Sequence, residues 1–264
     1  MDFGTTKMIA KKEGGIGWMI FNQPEKRNAV AYEMWVAIPK IIEAFEADPE
    51  VRGIVLAGAG DKAFVSGADI SEFEEKRGSP EAVKIYNAAG DHAAAVIQAA
   101  TKPTISMIRG ICIGGGLGMA LNTDVRICSS DSVFAVPAAR LGLGYRFGGM
   151  KRLVDVVGPS YAKEIFFTAR KFTPDEALQM GLVNRVVPVE QLESYVKDYT
   201  SRIAENAPLT MKAAKMAIDA ATLDESKRDM AAVNAMVDVC FGSQDYIEGR
   251  RAFMEKRKPK FQGR

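Results

Sequence analysis

The sequence predicts an α/β protein in which a core of parallel strands is followed by a helical region. Strand-like and helix-like segments alternate along the first half of the chain, which is the order of parallel strands joined by helices. After Gly148 the segments become helix-like and are separated by prolines. No internal repeat or flexible Gly/Ser linker interrupts the chain, so we expect no freely hinged domains.

The apolar pattern of the first half predicts its elements in order. From Tyr32 to Asp48 apolar residues recur at helical spacing, and Pro39 inside this segment predicts a kink or a late start. The alanine-rich segment 81–100 predicts a second helix, and AGDKAFVSGAD (59–69) predicts a loop. The predicted strands are IGWMIFN (16–22), GIVLAG (53–58), TKPTISMIRG (101–110), DVRICSS (124–130) and SVFAVP (132–137).

The second half of the chain is predicted to be a set of helices separated by proline-containing breaks. We expect the helices of the C-terminal third to form a region that docks on a neighbouring subunit. The predicted helical segments lie near 149–157, 159–168, 174–180, 190–206, 209–222 and 226–255.

Composition narrows the class of protein. The chain has 264 residues, and its 35 basic and 33 acidic side chains give a formal charge of +2, which is too small to indicate a nucleic-acid partner. Three cysteines without a C-x-x-C pair favour a reducing compartment. No apolar run reaches about 18 residues and the first residues do not resemble a targeting signal, so we expect a cytoplasmic protein without membrane contact. No histidine pair or thiolate cluster has the spacing of a metal site.

The glycine run GICIGGGLGMALNTD (110–124) is the most unusual segment of the chain. It lacks the lysine and hydroxyl of a phosphate-binding loop, which disfavours a nucleotide-binding switch protein. Glycines at a helix N-terminus leave free N–H groups that a ligand can approach, although tight helix packing would also explain them. A second small-residue turn, GDKAFVSGADI (60–70), follows another strand. Two such turns can aim two main-chain N–H groups at one oxygen, as in an oxyanion hole.

Five motifs in order resemble the crotonase superfamily, also called the enoyl-CoA hydratase/isomerase family. They are NQPEKRNA (22–29), GDKAFVSGADI (60–70), KPTISMIRGICIGGG (102–116), EALQMGLVNRVVP (176–188) and AFMEKRKPKF (252–261). The resemblance implies a spiral of repeated ββα units over residues 1–200, which carries the acyl-CoA site, and a helical oligomerisation region over 201–264. It also implies a homotrimer or a dimer of trimers, and no cofactor apart from the coenzyme A of the substrate.

The resemblance also assigns site residues. The N–H groups of Ser66 and Gly115 are expected to hold the thioester oxygen, with Gly114 beside them. Contacts with coenzyme A and the acyl group are expected from Lys26, Arg27, Ala68, Asp69, Ile70, Ala138 and Arg140, and from Phe253 and Lys256 of an adjacent subunit. Glu72, Glu74 and Glu75, on the turn after GADI, are expected to form a solvated face, and His92, the only histidine, a structural position in a helix.

Two departures from the family's pattern bear on the reaction. Enoyl-CoA hydratases that resemble this chain carry two glutamates, and the matching positions here are Gly118 and Ala138. A carboxylated acyl-CoA can form its enolate by losing CO2 without such a base. We therefore expect a decarboxylase-like lyase in which Tyr145 donates a proton or anchors the substrate, and Arg146 or Arg140 binds the acidic acyl group.

The methylmalonyl-CoA decarboxylases offer a partial match. Their L-G-x-x-Y pattern is similar to Leu141, Gly142 and Tyr145, whereas their histidine and post-glycine glutamate are Ala68 and Gly118 here. The alternatives left open are a hydratase or isomerase with an acid from another position, and a non-catalytic acyl-CoA binder. In a purely structural interpretation, Tyr145 caps a helix and the arginines make surface ion pairs.

Overall fold

The structure is a computed structural model that describes residues 3–72, 75–76 and 78–264. Its strands are β1 (Met8–Glu13), β2 (Ile16–Phe21), β3 (Gly53–Gly58), β4 (Ala63–Val65), β5 (Thr104–Ile108), β6 (Ile111–Ile113), β7 (Val125–Ser129), β8 (Val133–Ala135) and β9 (Arg185–Val187). Its α-helices are α1 (Tyr32–Ala47), α2 (Pro80–Ala99), α3 (Gly115–Leu121), α4 (Phe147–Thr168), α5 (Pro174–Gln179), α6 (Leu192–Glu205), α7 (Pro208–Ala221), α8 (Met230–Phe241) and α9 (Gln244–Met254).

The strands form two sheets. A six-stranded sheet has the order β1-β2-β3-β5-β7-β9, and only the β1–β2 pair within it is antiparallel. A three-stranded parallel sheet has the order β4-β6-β8. Each consecutive pair from β3 to β8 gives its first strand to the large sheet and its second strand to the small one. This alternation confirms the predicted α/β spiral of ββα units.

Packing between the sheets and helices forms the main core. Phe21 of the large sheet meets Phe64 of the small sheet edge to face, with ring centroids 5.7 Å apart, which joins the two sheets. The helix α1 buries its apolar face against the same core. On the other side of the large sheet, Trp18 and Val55 lie in a second apolar cluster that also contains Leu192 of α6. The large sheet is therefore covered on both faces, as expected for parallel strands.

The structure corrects several boundaries predicted from the sequence. The segment AGDKAFVSGAD, predicted to be a loop, contains β4, because its Ala-Phe-Val run pairs with β6. The helix α1 begins at Tyr32 and continues through Pro39, so it does not start late. The segment 226–255 contains two helices, α8 and α9, rather than one. The strands β1, β6 and β9 were not predicted, and the last two have only three residues each.

The C-terminal helices differ from the core in what they expose. The helix α7 is attached to the core by an ion pair of 2.8 Å between Lys215 Nζ and the Asp124 carboxylate. At the end of α9, by contrast, Phe253 and Met254 are more than 80% exposed, at 84% and 81%. Within residues 3–72, 75–76 and 78–264, no helix has the length and apolar character needed to cross a membrane.

Candidate active site

The glycine run forms the N-terminus of α3, as its composition predicted. Gly114 precedes the helix with a φ of +57°, in the left-handed region that favours glycine, and its N–H donates to the Ala135 carbonyl at 2.9 Å. Gly115 is the first residue of α3, so its N–H is one of those that a helix leaves without an internal acceptor. A β carbon on Gly116 would collide with the Val65 carbonyl, so glycine lets α3 lie against β4.

The segment 66–69 is held by main-chain bonds to the turn before α1. Val30 N–H donates to the Gly67 carbonyl at 2.8 Å, and Asp69 N–H donates to the Val30 carbonyl at 2.9 Å. These bonds make a parallel bridge between Val30 and Ala68, in which the N–H of Ala68 itself points away from Val30. The nitrogen of Ala68 lies 3.8 Å from the place that a β carbon on Gly115 would occupy. The fold thus brings Ala68 and Gly115 together.

Ser66 has a different main-chain environment from the one its predicted role requires. Its N–H donates to the Arg27 carbonyl at 3.2 Å, and its hydroxyl lies 3.4 Å from the Lys26 carbonyl. An N–H group with a protein acceptor is not free to bind a thioester oxygen unless that bond opens. The sequence could not reveal this, because the pairing of the segment 66–69 with the turn at 27–30 joins residues far apart in the chain.

Asp69 is the most strongly bonded side chain of this region. Only 4% of the residue is exposed, and its carboxylate accepts hydrogen bonds from Lys26 Nζ at 2.8 Å, Ser71 Oγ at 2.6 Å and Ser71 N–H at 3.1 Å. Burial acts to raise the pKa of this carboxyl, but the bonds from Lys26 and Ser71 outweigh it and lower the pKa to about 2. Lys26, expected to contact coenzyme A, is therefore ion-paired with Asp69 in this structure.

The two positions matched to the hydratase glutamates have different surroundings. Gly118 lies in the first turns of α3, and a β carbon placed there would meet no heavy atom within 4 Å. Ala138 lies in the 3-10 turn Pro137–Leu141 and is 3% exposed. The position of a β carbon on Gly118 is therefore open, whereas Ala138 is packed.

The side chains expected to handle a carboxylate lie around the start of α4. The ring of Tyr145 packs edge to face against Phe166, with centroids 5.0 Å apart, and desolvation raises the pKa of its phenol. The phenol is therefore protonated at neutral pH. Arg146 lies 3.4 Å from the Asp91 carboxylate, in a pair whose two side chains are exposed, and Arg140 is exposed as well.

The remaining predicted contacts lie at the surface. Arg27 and Ile70 are exposed, and Lys256, just after α9, has a left-handed φ of +53°. Phe253 borders an apolar cavity of about 700 Å³ between α7, α8 and α9. His92 is exposed on α2.

The three glutamates after GADI were expected to form a solvated face, and the two that the structure describes differ in exposure. Glu72 is half-buried, and its carboxylate accepts a hydrogen bond from the Tyr32 N–H at 2.8 Å, so it stabilises the start of α1. Glu75 is exposed, whereas Glu74 lies outside the described residues. Among the residues described, no group of three or more His, Cys, Asp or Glu side chains is placed to hold a metal ion.

Sequence reasoning overlooked Asn28, although it lies within the first family motif. The residue is fully buried, and its side chain makes three hydrogen bonds to main-chain groups. A polar residue next to a charged Lys-Arg pair gave no sign of burial. Only its place in a turn, where asparagine tolerates a left-handed backbone, could have drawn attention to it.

Comparisons with known proteins agree with the fold. Residues 11–264 match the family described as Enoyl-CoA hydratase/isomerase. A Short-chain-enoyl-CoA hydratase from Clostridium acetobutylicum is 36% identical over 251 residues, covering 95% of both chains. A Methylmalonyl-CoA decarboxylase from Escherichia coli is 34% identical over 250 residues, covering 92% of this chain and 93% of the other.

Solved structures give the same result. An enoyl-CoA hydratase/carnithine racemase from Magnetospirillum magneticum superimposes with a TM-score of 0.93 at 33% identity, covering 99% of this chain and 97% of the other. Sequence and structure thus agree over nearly the whole chain. The protein belongs to the enoyl-CoA hydratase/isomerase family, the crotonase superfamily of acyl-CoA enzymes.

Proposed function

We propose that this protein stabilises the enolate of an acyl-CoA thioester and acts as a decarboxylase-like lyase on a carboxylated acyl-CoA. The observation that carries the proposal is the neighbourhood of the α3 N-terminus. Main-chain N–H groups are available there, while Gly118 and Ala138 stand where hydratases of this family have glutamates. Such a site can stabilise negative charge on oxygen without the pair of acids that hydration requires.

The proposed oxyanion hole consists of the N–H groups of Ala68 and Gly115. The proximity of Ala68 to Gly115 and the direction of its N–H support this choice. Ser66, to which the family resemblance assigned the first N–H, remains the alternative donor, and its N–H would have to release the Arg27 carbonyl first. Removing one such donor from an enzyme typically costs about 10²–10³-fold in kcat.

The proposed reaction needs no base to form the enolate. The bond between the α carbon and the carboxylate breaks, CO2 leaves, and the electron pair moves through the α carbon to the thioester oxygen. A proton then adds to the α carbon, and solvent reprotonates the donor. Tyr145 is the proposed donor: a phenol carries its proton at neutral pH, and the partial desolvation of this one, whose ring packs on Phe166, raises its pKa further.

Arg146 and Arg140 are the proposed anchors for the substrate carboxylate. Guanidinium groups bind carboxylates through paired hydrogen bonds. The Arg146 guanidinium forms an exposed ion pair with Asp91, which is a weak interaction in water, so a substrate carboxylate can compete for it.

Contacts with coenzyme A are proposed for the turn before α1 and for the residues at the end of the segment 66–69. Lys26 and Arg27 would approach the nucleotide phosphates, and Ala68, Asp69 and Ile70 would lie beside the adenine. Lys26 keeps its position through Asp69, so its ammonium is already oriented before the ligand arrives.

A hydratase or isomerase reaction is the second candidate, and the relatives named as hydratases favour it. In that case water would be activated by an acid other than the two that are replaced here. A third candidate is an acyl-CoA binder without turnover.

One experiment separates the three candidates. The protein is incubated with a mixed pool of neutral and malonyl-type acyl-CoA thioesters, and each thioester is followed by mass spectrometry. We expect a product lighter by CO2 from the carboxylated thioesters. A product heavier by one water with the thioester intact would contradict the lyase and support the hydratase, and binding without any product would support the third candidate.

We propose that the protein assembles as a homotrimer or a dimer of trimers through its C-terminal helices, in the cytoplasm. The exposed apolar side chains of α8 and α9, among them Phe241, Phe253 and Met254, support a covered surface there. Light scattering after size-exclusion chromatography tests this, and a monomeric mass would contradict it.

A further inference from the structure

Asn28 lies buried in the turn between the 3-10 turn Pro24–Lys26 and α1. Its φ is +56°, in the left-handed region that asparagine adopts more readily than most residues. Its Oδ1 accepts the N–H of Gln23 at 3.0 Å. Its Nδ2 donates to two carbonyls, those of Ala59 at 2.9 Å and Ala63 at 2.8 Å, so both amide hydrogens are used.

The two carbonyls that Asn28 holds stand at the ends of the loop between β3 and β4. Ala59 follows the last residue of β3, and Ala63 is the first residue of β4. The amide of Asn28 therefore fixes the place where β4 begins. Since β4 ends at Val65, its starting position also sets that of Ala68, three residues further on.

The main chain on both sides of Asn28 contacts the same segment. One residue before it, the Arg27 carbonyl accepts the Ser66 N–H, and two residues after it, Val30 bonds to Gly67 and Asp69. The side chain of Asn28 thus holds the carbonyls of Ala59 and Ala63, which precede Ala68 in the chain. The main chain of its neighbours Arg27 and Val30 bonds to the segment 66–69 itself. Gly58 makes room for this arrangement, because a β carbon there would lie against Asn28 Nδ2.

We propose that Asn28 is a positioning residue for the oxyanion hole, which sets the Ala68 N–H against the Gly115 N–H without touching the substrate. This inference rests on the proposed role of those two N–H groups. A buried carbonyl that loses its donor moves or admits water, because an unpaired buried polar group is unfavourable. A shift at Ala59 and Ala63 would then displace Ala68, and a misplacement of about 1 Å can lower a rate by about 10²-fold.

Two substitutions isolate this effect. Asn28→Asp keeps the acceptor for Gln23 and a side chain that tolerates the left-handed backbone, but it loses the two donors. Asn28→Gly keeps the backbone conformation and loses all three side-chain bonds. The matched control is Thr200→Ala, which removes a buried hydroxyl that donates to the Val196 carbonyl within α6, on the opposite face of the large sheet.

The readout is the infrared stretch of the thioester carbonyl of bound acetyl-CoA, labelled with ¹³C at that carbon. In the unsubstituted protein we expect the stretch to move to lower frequency on binding, because two donors polarise the carbonyl. Both Asn28 variants should lose most of this shift and about 10–100-fold in kcat. Their affinity for coenzyme A itself, which has no thioester, should stay within about threefold, and the Thr200→Ala control should keep the full carbonyl shift.

Each other outcome has a distinct meaning. Absence of a carbonyl shift in the unsubstituted protein would refute the proposed oxyanion hole and the inference with it. A normal shift that both Asn28 variants retain would refute the inference alone. Loss of coenzyme A affinity together with the shift, or failure of both variants to fold, would also refute it, because Asn28 would then support the whole fold rather than the oxyanion hole.

Discussion

The segment 66–69 and the segment 139–149 are built in opposite ways. Residues 66–69 are buried or half-buried and are bonded through the main chain to Arg27 and Val30, whereas every residue from 139 to 149 is exposed. The first offers N–H groups to the proposed reaction, and the second offers side chains. Main-chain N–H groups remain in place when a side chain is replaced, provided that the new side chain does not block access to them, while exposed side chains can change without disturbing the fold. The shared fold alone therefore does not decide which reaction a member of the family carries out.

The largest effect is expected from filling the space between the two N–H groups. Gly115→Ala places a methyl group 3.8 Å from the Ala68 nitrogen, at ordinary contact distances that leave the fold unstrained. We expect kcat to fall by about 10²–10³-fold, the loss typical of an oxyanion hole. Steady-state kinetics on the substrate identified from the acyl-CoA pool measure this.

The control for this substitution lies on the same helix. Gly118→Ala makes the same chemical change in open space, so activity and melting temperature should stay close to those of the unsubstituted protein. Equal losses in the two variants would contradict the assignment of Gly115.

A second prediction restores the missing acids. The double variant Gly118→Glu, Ala138→Glu should add water to crotonyl-CoA about 10²-fold faster than the unsubstituted protein, a low value for positioned acid-base groups. At Gly118 the β carbon of the first side chain meets no neighbour, whereas the second side chain enters a buried position and will lower stability.

The hydration rate is measured from the decrease in the ultraviolet absorbance of crotonyl-CoA. The matched control is Gly118→Gln, Ala138→Gln, which has nearly the same volume without the acids. Hydration by the unsubstituted protein at the rate of the double glutamate variant would overturn the view that these positions decide the reaction.

The third prediction concerns the anchor of the segment 66–69. The folded pKa of Asp69 is about 2, below its ordinary value of 3.8, so the unfolded state binds more protons between these values. This carboxylate therefore contributes about 2 kcal/mol to the free energy of unfolding above about pH 4. The contribution is lost as the pH falls through about 2. Urea unfolding should show that Asp69→Asn loses less stability than the unsubstituted protein over this range.

Asp61→Asn, which removes an exposed carboxylate on the loop before β4, serves as its control. If Asp69→Asn and Asp61→Asn changed the pH dependence equally, the bonds that Lys26 and Ser71 make to the buried Asp69 carboxylate would not be the cause.

The smallest effect is expected in the exposed segment. Arg146→Ala should reduce the preference for carboxylated over neutral acyl-CoA by about 3–10-fold in KM, because one exposed guanidinium contributes a modest interaction. Stability should hardly change, since the ion pair of Arg146 with Asp91 joins two exposed side chains. Arg140→Ala is measured in parallel. If both variants keep the full preference for carboxylated acyl-CoA, neither arginine binds the substrate carboxylate.

Motifs in the sequence revealed the fold and the glycine helix, because glycine spacing and strand order are local signals. Gly114 and Gly115 stand where a helix N-terminus was expected. The sequence could not show which N–H group lies near that of Gly115. Whether it belongs to Ser66 or to Ala68 depends on the bridge between Ala68 and Val30, which are 38 residues apart in the chain. Asn28 was overlooked for the same reason, since its partners Ala59 and Ala63 lie more than 30 residues away.

Proline and short strands explain the errors in the fold. Pro39 predicted a kink or a late start of the first helix, and the late start is wrong: α1 begins at Tyr32, because the apolar residues on both sides of the proline are buried in the core. The strand β4 was not predicted because glycines and polar residues flank its three residues. It is a strand because it pairs with β6. Both features are decided by tertiary packing, which local propensity does not contain.

A crystal structure of the protein with a bound, slowly reacting acyl-CoA thioester tests the central claim most directly. The account predicts that the thioester oxygen lies within about 3.1 Å of both the Ala68 and the Gly115 nitrogens. A thioester oxygen out of reach of either nitrogen, or held by the Ser66 N–H after it leaves Arg27, would contradict it.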